Sequence, residues 1–212
     1  DSMDYNETDY VNAHIDYKYK YSGGPYLQLL FKLPGDQGRA YRVKSGDGSI
    51  ALNDTNIHAI RIEISDVKQN TSELNFNVSY NGNIGPLVSN TPHDSFRPGN
   101  VNIFEQSDFE LYLDENCLYD SLQPDFDRVV QPGLNTISSV FRFADASVPV
   151  HGELNIRIKP NVDVPGELMK KIVIKRMDEK GISCRKAEWQ KGWVAAKFSD
   201  FGSFQAFIDT SA

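Results

Sequence analysis

Four histidines, His14, His58, His93 and His151, and two cysteines, Cys117 and Cys184, are the side chains of this 212-residue chain with the most versatile chemistry. No histidine has another at i+2, i+3 or i+4, the spacing by which one helix or strand delivers two zinc ligands. A metal site would have to be assembled from distant positions, so no metal is expected, and the histidines read as solvent-facing strand or loop residues. The cysteines show no CxxC spacing and could close one bridge or stand as separate thiols. Asp114-Glu115-Asn116 precedes Cys117, and acidic neighbours raise a thiol pKa and blunt its nucleophilicity. With no G-x-S-x-G elbow either, no catalytic residue is expected and the chain reads as non-enzymatic.

Oxygen ligands for calcium would come from Asp120, Asp125 and Asp127, or from Asn53-Asp54-Thr55-Asn56. Neither completes a calcium-loop pattern, and Asx turns that satisfy their own backbone account for both. Trp189 and Trp193 are the binding candidates. Exposed aromatics stack on sugars, whereas tryptophans four apart around Lys191-Gly192 flank a hairpin and cap a core. Lys170-Lys171 and Lys175-Arg176 read as solvated edges, where lysine deters edge-to-edge pairing.

The elements that must position these residues announce themselves by period-two alternation, as in Leu154, Ile156, Ile158 and Ile60, Ile62, Ile64. Strands are expected at 27–33, 60–64, 74–80, 109–113, 140–143, 154–158, 172–174, 194–198 and 204–208. Turn signals such as Ser22-Gly23-Gly24-Pro25, Gly46-Asp47-Gly48 and Gln131-Pro132-Gly133 separate them. A short helix is expected only at Pro165 to Lys171. The glycine- and proline-rich stretch around 81–100 breaks the rhythm. The expected fold is all-β: two antiparallel, Ig-like β-sandwich units in tandem, over 1–82 and 100–212, joined by a linker at 83–99.

Composition narrows the partners. Apolar residues make up 40% of the chain and aromatics 11%, enough for ordinary cores. A formal charge of −7 repels phosphate backbones, so no nucleic acid is expected. Apolar runs of a few residues fall far short of the ~20 needed to span a bilayer. The acidic start, Asp1 to Tyr5, lacks the basic and apolar regions of a secretory signal.

Several segments resemble the non-catalytic region that follows the peptidase domain in large lysostaphin-type (LytM-type) zinc metallopeptidases of Gram-negative bacteria, which cut peptidoglycan cross-links. They are Tyr10-Val11-Asn12-Ala13-His14-Ile15-Asp16-Tyr17, Leu33-Pro34-Gly35, Ile62-Glu63-Ile64-Ser65-Asp66 with Asn70-Thr71-Ser72, Cys117-Leu118-Tyr119-Asp120, and Val148-Pro149-Val150-His151 with Ile156 and Lys159-Pro160. The most specific is the run from Trp189-Gln190-Lys191-Gly192-Trp193 through Phe201-Gly202-Ser203-Phe204 to Asp209-Thr210. The chain departs from that pattern at Gln69, where a turn glycine is usual, and at Cys117, where a small residue is.

The resemblance implies an accessory role by positioning, substrate docking or partner binding. It implies a periplasmic, cell-envelope or secreted location, with the chain's own catalytic domain, another envelope protein or peptidoglycan as partner. The peptidases hold zinc with an H-x-x-x-D segment and an H-x-H pair. Neither can be written with these four histidines, so zinc is expected only in a catalytic domain outside this chain. The resemblance also implies that the chain is a fragment lacking an edge strand, whose open edge would pair with another chain or peptide. The alternative is a free-standing carbohydrate-binding or adhesion module.

Overall fold

Ile60, Ile62 and Ile64 alternate with Arg61 and Glu63, and in the computed structural model this stretch is strand β1, His58–Ser65, paired antiparallel with β2, Thr71–Val78. The structure describes residues 8–38, 46, 48–82 and 95–210. These divide into a smaller unit, Gly48–Thr91, and a larger one, Asp1–Asp47 with Pro92–Ala212. Within the smaller unit the register sets Ile60 opposite Phe76 and Ile62 opposite Leu74, giving the hairpin one apolar face. Asp66 closes the turn, its carboxylate accepting the amides of Lys68 at 2.8 Å and Asn70 at 2.9 Å. Gln69 completes it in the left-handed region at φ 66°.

The larger unit holds a β-sandwich, as the alternation leads one to expect. Its strands are β3 Asn102–Glu105, β4 Phe109–Leu113, β5 Phe126–Val129, β6 Val140–Phe143, β7 Leu154–Ile158, β8 Ile172–Asp178, β9 Gly181–Lys186, β10 Glu188–Gln190, β11 Trp193–Phe198 and β12 Gly202–Ile208. They form two five-stranded antiparallel sheets, ordered β10-β11-β7-β4-β3 and β5-β6-β12-β8-β9. Each strand turns alternate side chains inward: Phe109, Leu111 and Leu113 from β4, and Leu154, Ile156 and Ile158 from β7, are fully buried. Phe109 stacks on Phe141 at 5.1 Å between ring centroids, and Phe198 meets Phe204 edge-on at 5.2 Å. Each such ring contributes about 1.5–3 kcal/mol by leaving water.

The units divide the chain differently from the expected 1–82, 83–99 and 100–212. Residues 8–38 pack with the sandwich of 95–210, because the Gly35 amide donates to the Tyr119 carbonyl at 2.8 Å and Leu33 and Ala13 bury against Tyr119. Of the expected linker, residues 83–94 lie outside the described residues. The expected strand at 27–33 is replaced by a loop with one bridge, Ile15 to Gln28, since only a single residue of backbone runs alongside it. Two short helices precede that loop, α1 Thr8–Ala13 and α2 Tyr17–Tyr21. At Pro165 to Lys171 the chain makes successive turns ending in a 3-10 turn, Met169–Lys171.

Candidate functional site

Segments far apart in the chain, each carrying part of the resemblance, meet at one joint of the larger unit. Leu118 bridges Val150, and the His151 amide donates to the Cys117 carbonyl at 2.9 Å, so the loops after β4 and β6 lie side by side. Onto them docks residues 10–38. Tyr10 stacks on His151 at 4.5 Å between centroids, and the Tyr119 hydroxyl lies 3.1 Å from Nδ1 of the same imidazole. Next to this, His14 faces Asp36 at 3.5 Å, both buried, with the Gly38 amide donating to the Asp36 carboxylate at 2.7 Å. Gly35 is obligatory here: a Cβ on it would sit 1.9 Å from the Leu118 carbonyl oxygen. His14 is therefore no solvent-facing residue: it is buried with its Nδ1 facing the Asp36 carboxylate, whose other oxygen accepts the Gly38 amide.

At the margin of the joint opens a cleft of about 520 Å³. It is lined by Ala13, Ile15, Pro149 and Val150 together with Tyr17, Tyr21, Tyr26, Lys20, Lys180 and Asp200. α2 supplies three of these. Asp16 caps it by accepting the Tyr19 amide at 3.0 Å, and Tyr17 and Tyr21, four apart, share one helix face. The helix stops in a Schellman arrangement: Gly23, at φ 90°, donates to Lys20, and Gly24 donates to Tyr19, both at 3.0 Å. The chain then reverses and brings Tyr26 back under Lys20, whose Nζ lies 3.7 Å from the ring centroid.

Arg176 ties together the segments that bring Lys180 and Asp200 to the cleft. It falls on the inward phase of β8 with Ile172 and Ile174, so it is buried rather than part of a solvated edge. Its Nε donates to the carbonyl of Phe201 at 2.7 Å and more weakly to that of Asp200 at 3.2 Å, and Nη2 meets Asp178 at 2.7 Å. Burial alone would raise the Asp178 pKa, but the Lys180 amide and the Arg176 guanidinium hold it below the ordinary aspartate value. Asp178 in turn accepts the amides of Lys180 and Gly181, fixing the turn that lays Lys180 over the Tyr21 ring at 3.5 Å. Burial, with Asp200 nearby, raises the Tyr17 pKa, and burial with Asp178 raises that of Tyr21, so both phenols stay neutral.

The tryptophans do not form one strip. Trp189 pairs with Val194, which is buried, while Trp193 pairs with Gln190, so the two indoles belong to opposite faces of the sheet. Lys191 at φ 50° and Gly192 at φ 88° make the two-residue turn between them. Trp193 instead stacks under Arg157, whose guanidinium carbon lies 5.2 Å from its centroid and which also pairs with Glu110.

The acidic clusters spend their oxygens locally: Asp54 makes an Asx turn by accepting the Asn56 amide, and Asp120 and Asp127 accept the amides of the next residues, Ser121 and Arg128. Asp54 also bonds His58 at 2.8 Å, which lowers its pKa. Both cysteines are free thiols; Cys117 is buried, which pushes its thiol pKa up, and Cys184 is exposed. His93 lies outside the described residues. Among the described residues no three His, Cys, Asp or Glu side chains gather as a metal-holding group, and no helix is long and apolar enough to cross a membrane.

Sequence reasoning missed the cleft. Its local signal is the spacing of Tyr17 and Tyr21, while Tyr119, Pro149, Val150, Lys180 and Asp200 reach it from segments far along the chain. Residues 93–209 match the family model described as Zu5-like domain. No curated protein matches the chain.

Proposed function

The chain belongs to the Zu5-like domain family; from the resemblance of its segments, and not from that family, we propose that it is a non-catalytic accessory region of a peptidoglycan-cleaving zinc metallopeptidase, acting by docking and positioning. The observation that carries this reading is the joint. The segments resembling the metallopeptidase regions supply Tyr10, His14, Gly35, Tyr119 and His151, and these side chains and backbones are spent on holding residues 10–38 against the sandwich. That use suits a scaffold which presents a surface, here the tyrosine-walled cleft beside the joint. Zinc belongs, in this reading, to a catalytic domain outside the chain, and the setting is the periplasm, the envelope or the outside of the cell.

Tethering gives even weak docking a purpose, because a bound module raises the effective concentration of wall substrate near its enzyme. The test is co-sedimentation of the purified chain with intact peptidoglycan sacculi. The chain is expected in the pellet, and Tyr26→Ala is expected to leave most of it in the supernatant. A wild-type chain that stays in the supernatant at high sacculus concentration would remove the docking role. Binding of sugars through Trp189 and Trp193 as one platform is disfavoured by their opposite faces.

A further inference from the structure

We propose that the tyrosine-walled cleft takes a short peptide with at least two free carboxylates. The proposal rests on reading that cleft as the docking site, and it names what docks. In a chain of net charge −7, two ammonium groups stand at one cleft, Lys20 and Lys180. Neither has a carboxylate within ion-pair distance among the described residues. Each is instead held over a tyrosine ring, at 3.7 and 3.5 Å, which fixes the charge in place without neutralising it. Those same contacts cover a face of Tyr26 and of Tyr21, the rings a pyranose would need for stacking. Pro149 and Val150, partly exposed, add apolar surface to the same lining, Ala13 and Ile15 lie buried there, and the single carboxylate in the lining, Asp200, leaves the two ammonium groups in excess. The volume of about 520 Å³ lies in the range of small-ligand sites.

The experiment is isothermal titration of the full chain with the tripeptide L-Ala-γ-D-Glu-meso-diaminopimelate, with the same peptide amidated at its carboxyl groups, with an unrelated acidic peptide of alanine and glutamate, and with chitotetraose. The free acid is expected to bind. Amidation, Lys20→Met and Lys180→Met are each expected to weaken binding at least about tenfold, as lost charge-assisted bonds do. Lys170→Met, outside the cleft, is expected to leave binding unchanged. Equal binding of the amidated peptide, binding that survives both lysine changes, or binding of chitotetraose alone overturns the proposal. If the alanine–glutamate peptide binds while the tripeptide and sacculi do not, the ligand class stands and the cell-wall reading falls. If sacculi bind and neither peptide does, the reading stands and the ligand class falls. Lys180 is exposed and Lys20 half-buried, and thermal melts of both variants that match the native chain separate lost binding from lost fold.

Discussion

Replacing Gln69 by glycine is expected to tighten the β1–β2 hairpin. Gln69 sits at φ 66° at the end of the turn Asp66 to Asn70, the left-handed position of a three-residue hairpin loop. A side chain with a Cβ costs roughly 1–2 kcal/mol in that region, and glycine removes this cost. Glycine also gives the unfolded chain more freedom, which takes back about 0.5–1 kcal/mol. The net gain is therefore roughly 0.5–1 kcal/mol, or a two- to fivefold slowing of hairpin opening equilibria. Because the hairpin belongs to its own unit, the assay is native-state hydrogen exchange of the β1 and β2 amides, not a global melt. Gln69→Gly is expected to slow their exchange by that factor, and Gln69→Ala to leave it unchanged. Faster exchange in the glycine variant would mean that the left-handed backbone at Gln69 carries no cost.

The same turn makes a pH prediction. The Asn70 side chain, with backbone amides, holds the Asp66 carboxyl below its ordinary value, so its contribution is present above pH ~4 and is lost as pH falls through the lower folded pKa; an NMR titration should show the turn loosening there, and Asp66→Asn should flatten the response. Gly35→Ala drives a Cβ into the Leu118 carbonyl and is expected to cost about 1–3 kcal/mol, read as proteolysis within residues 8–38 while the sandwich stays intact. Arg176→Met removes the buried guanidinium that bonds the Phe201 carbonyl and pairs with the partly exposed Asp178, and is expected to cost about 1–3 kcal/mol in denaturant melts, with Asp178→Asn added to it restoring part of the loss. In the native chain one thiol, Cys184, should react with a maleimide, and Cys117 only after unfolding.

Where a strand is covered by neighbours and faces one core, its alternation was legible: β4, β6 and β7 run over the residues that the pattern marks. The edge strands β5, β9 and β10 were not, because strands half in water carry few apolar residues to mark a period. α1 and α2, six and five residues long, are too short for a 3.6-residue rhythm to register. Arg176 looked like a surface charge until the register put it in phase with Ile172 and Ile174, where only carbonyls and Asp178 can satisfy it. His14 likewise found its partner, Asp36, twenty-two positions away. The cleft is built from residues 12–26, 119, 149–152, 180 and 199–200, and no local pattern joins stretches that only the fold brings together.

The proposed function has this chain serving a cell-wall peptidase from within the same polypeptide. An antibody against it, used on source cells, should detect a product well above 23.9 kDa whose immunoprecipitate cuts cross-linked peptidoglycan and loses that activity to a zinc chelator. A product of 23.9 kDa, or a larger one without such activity, would contradict the claim.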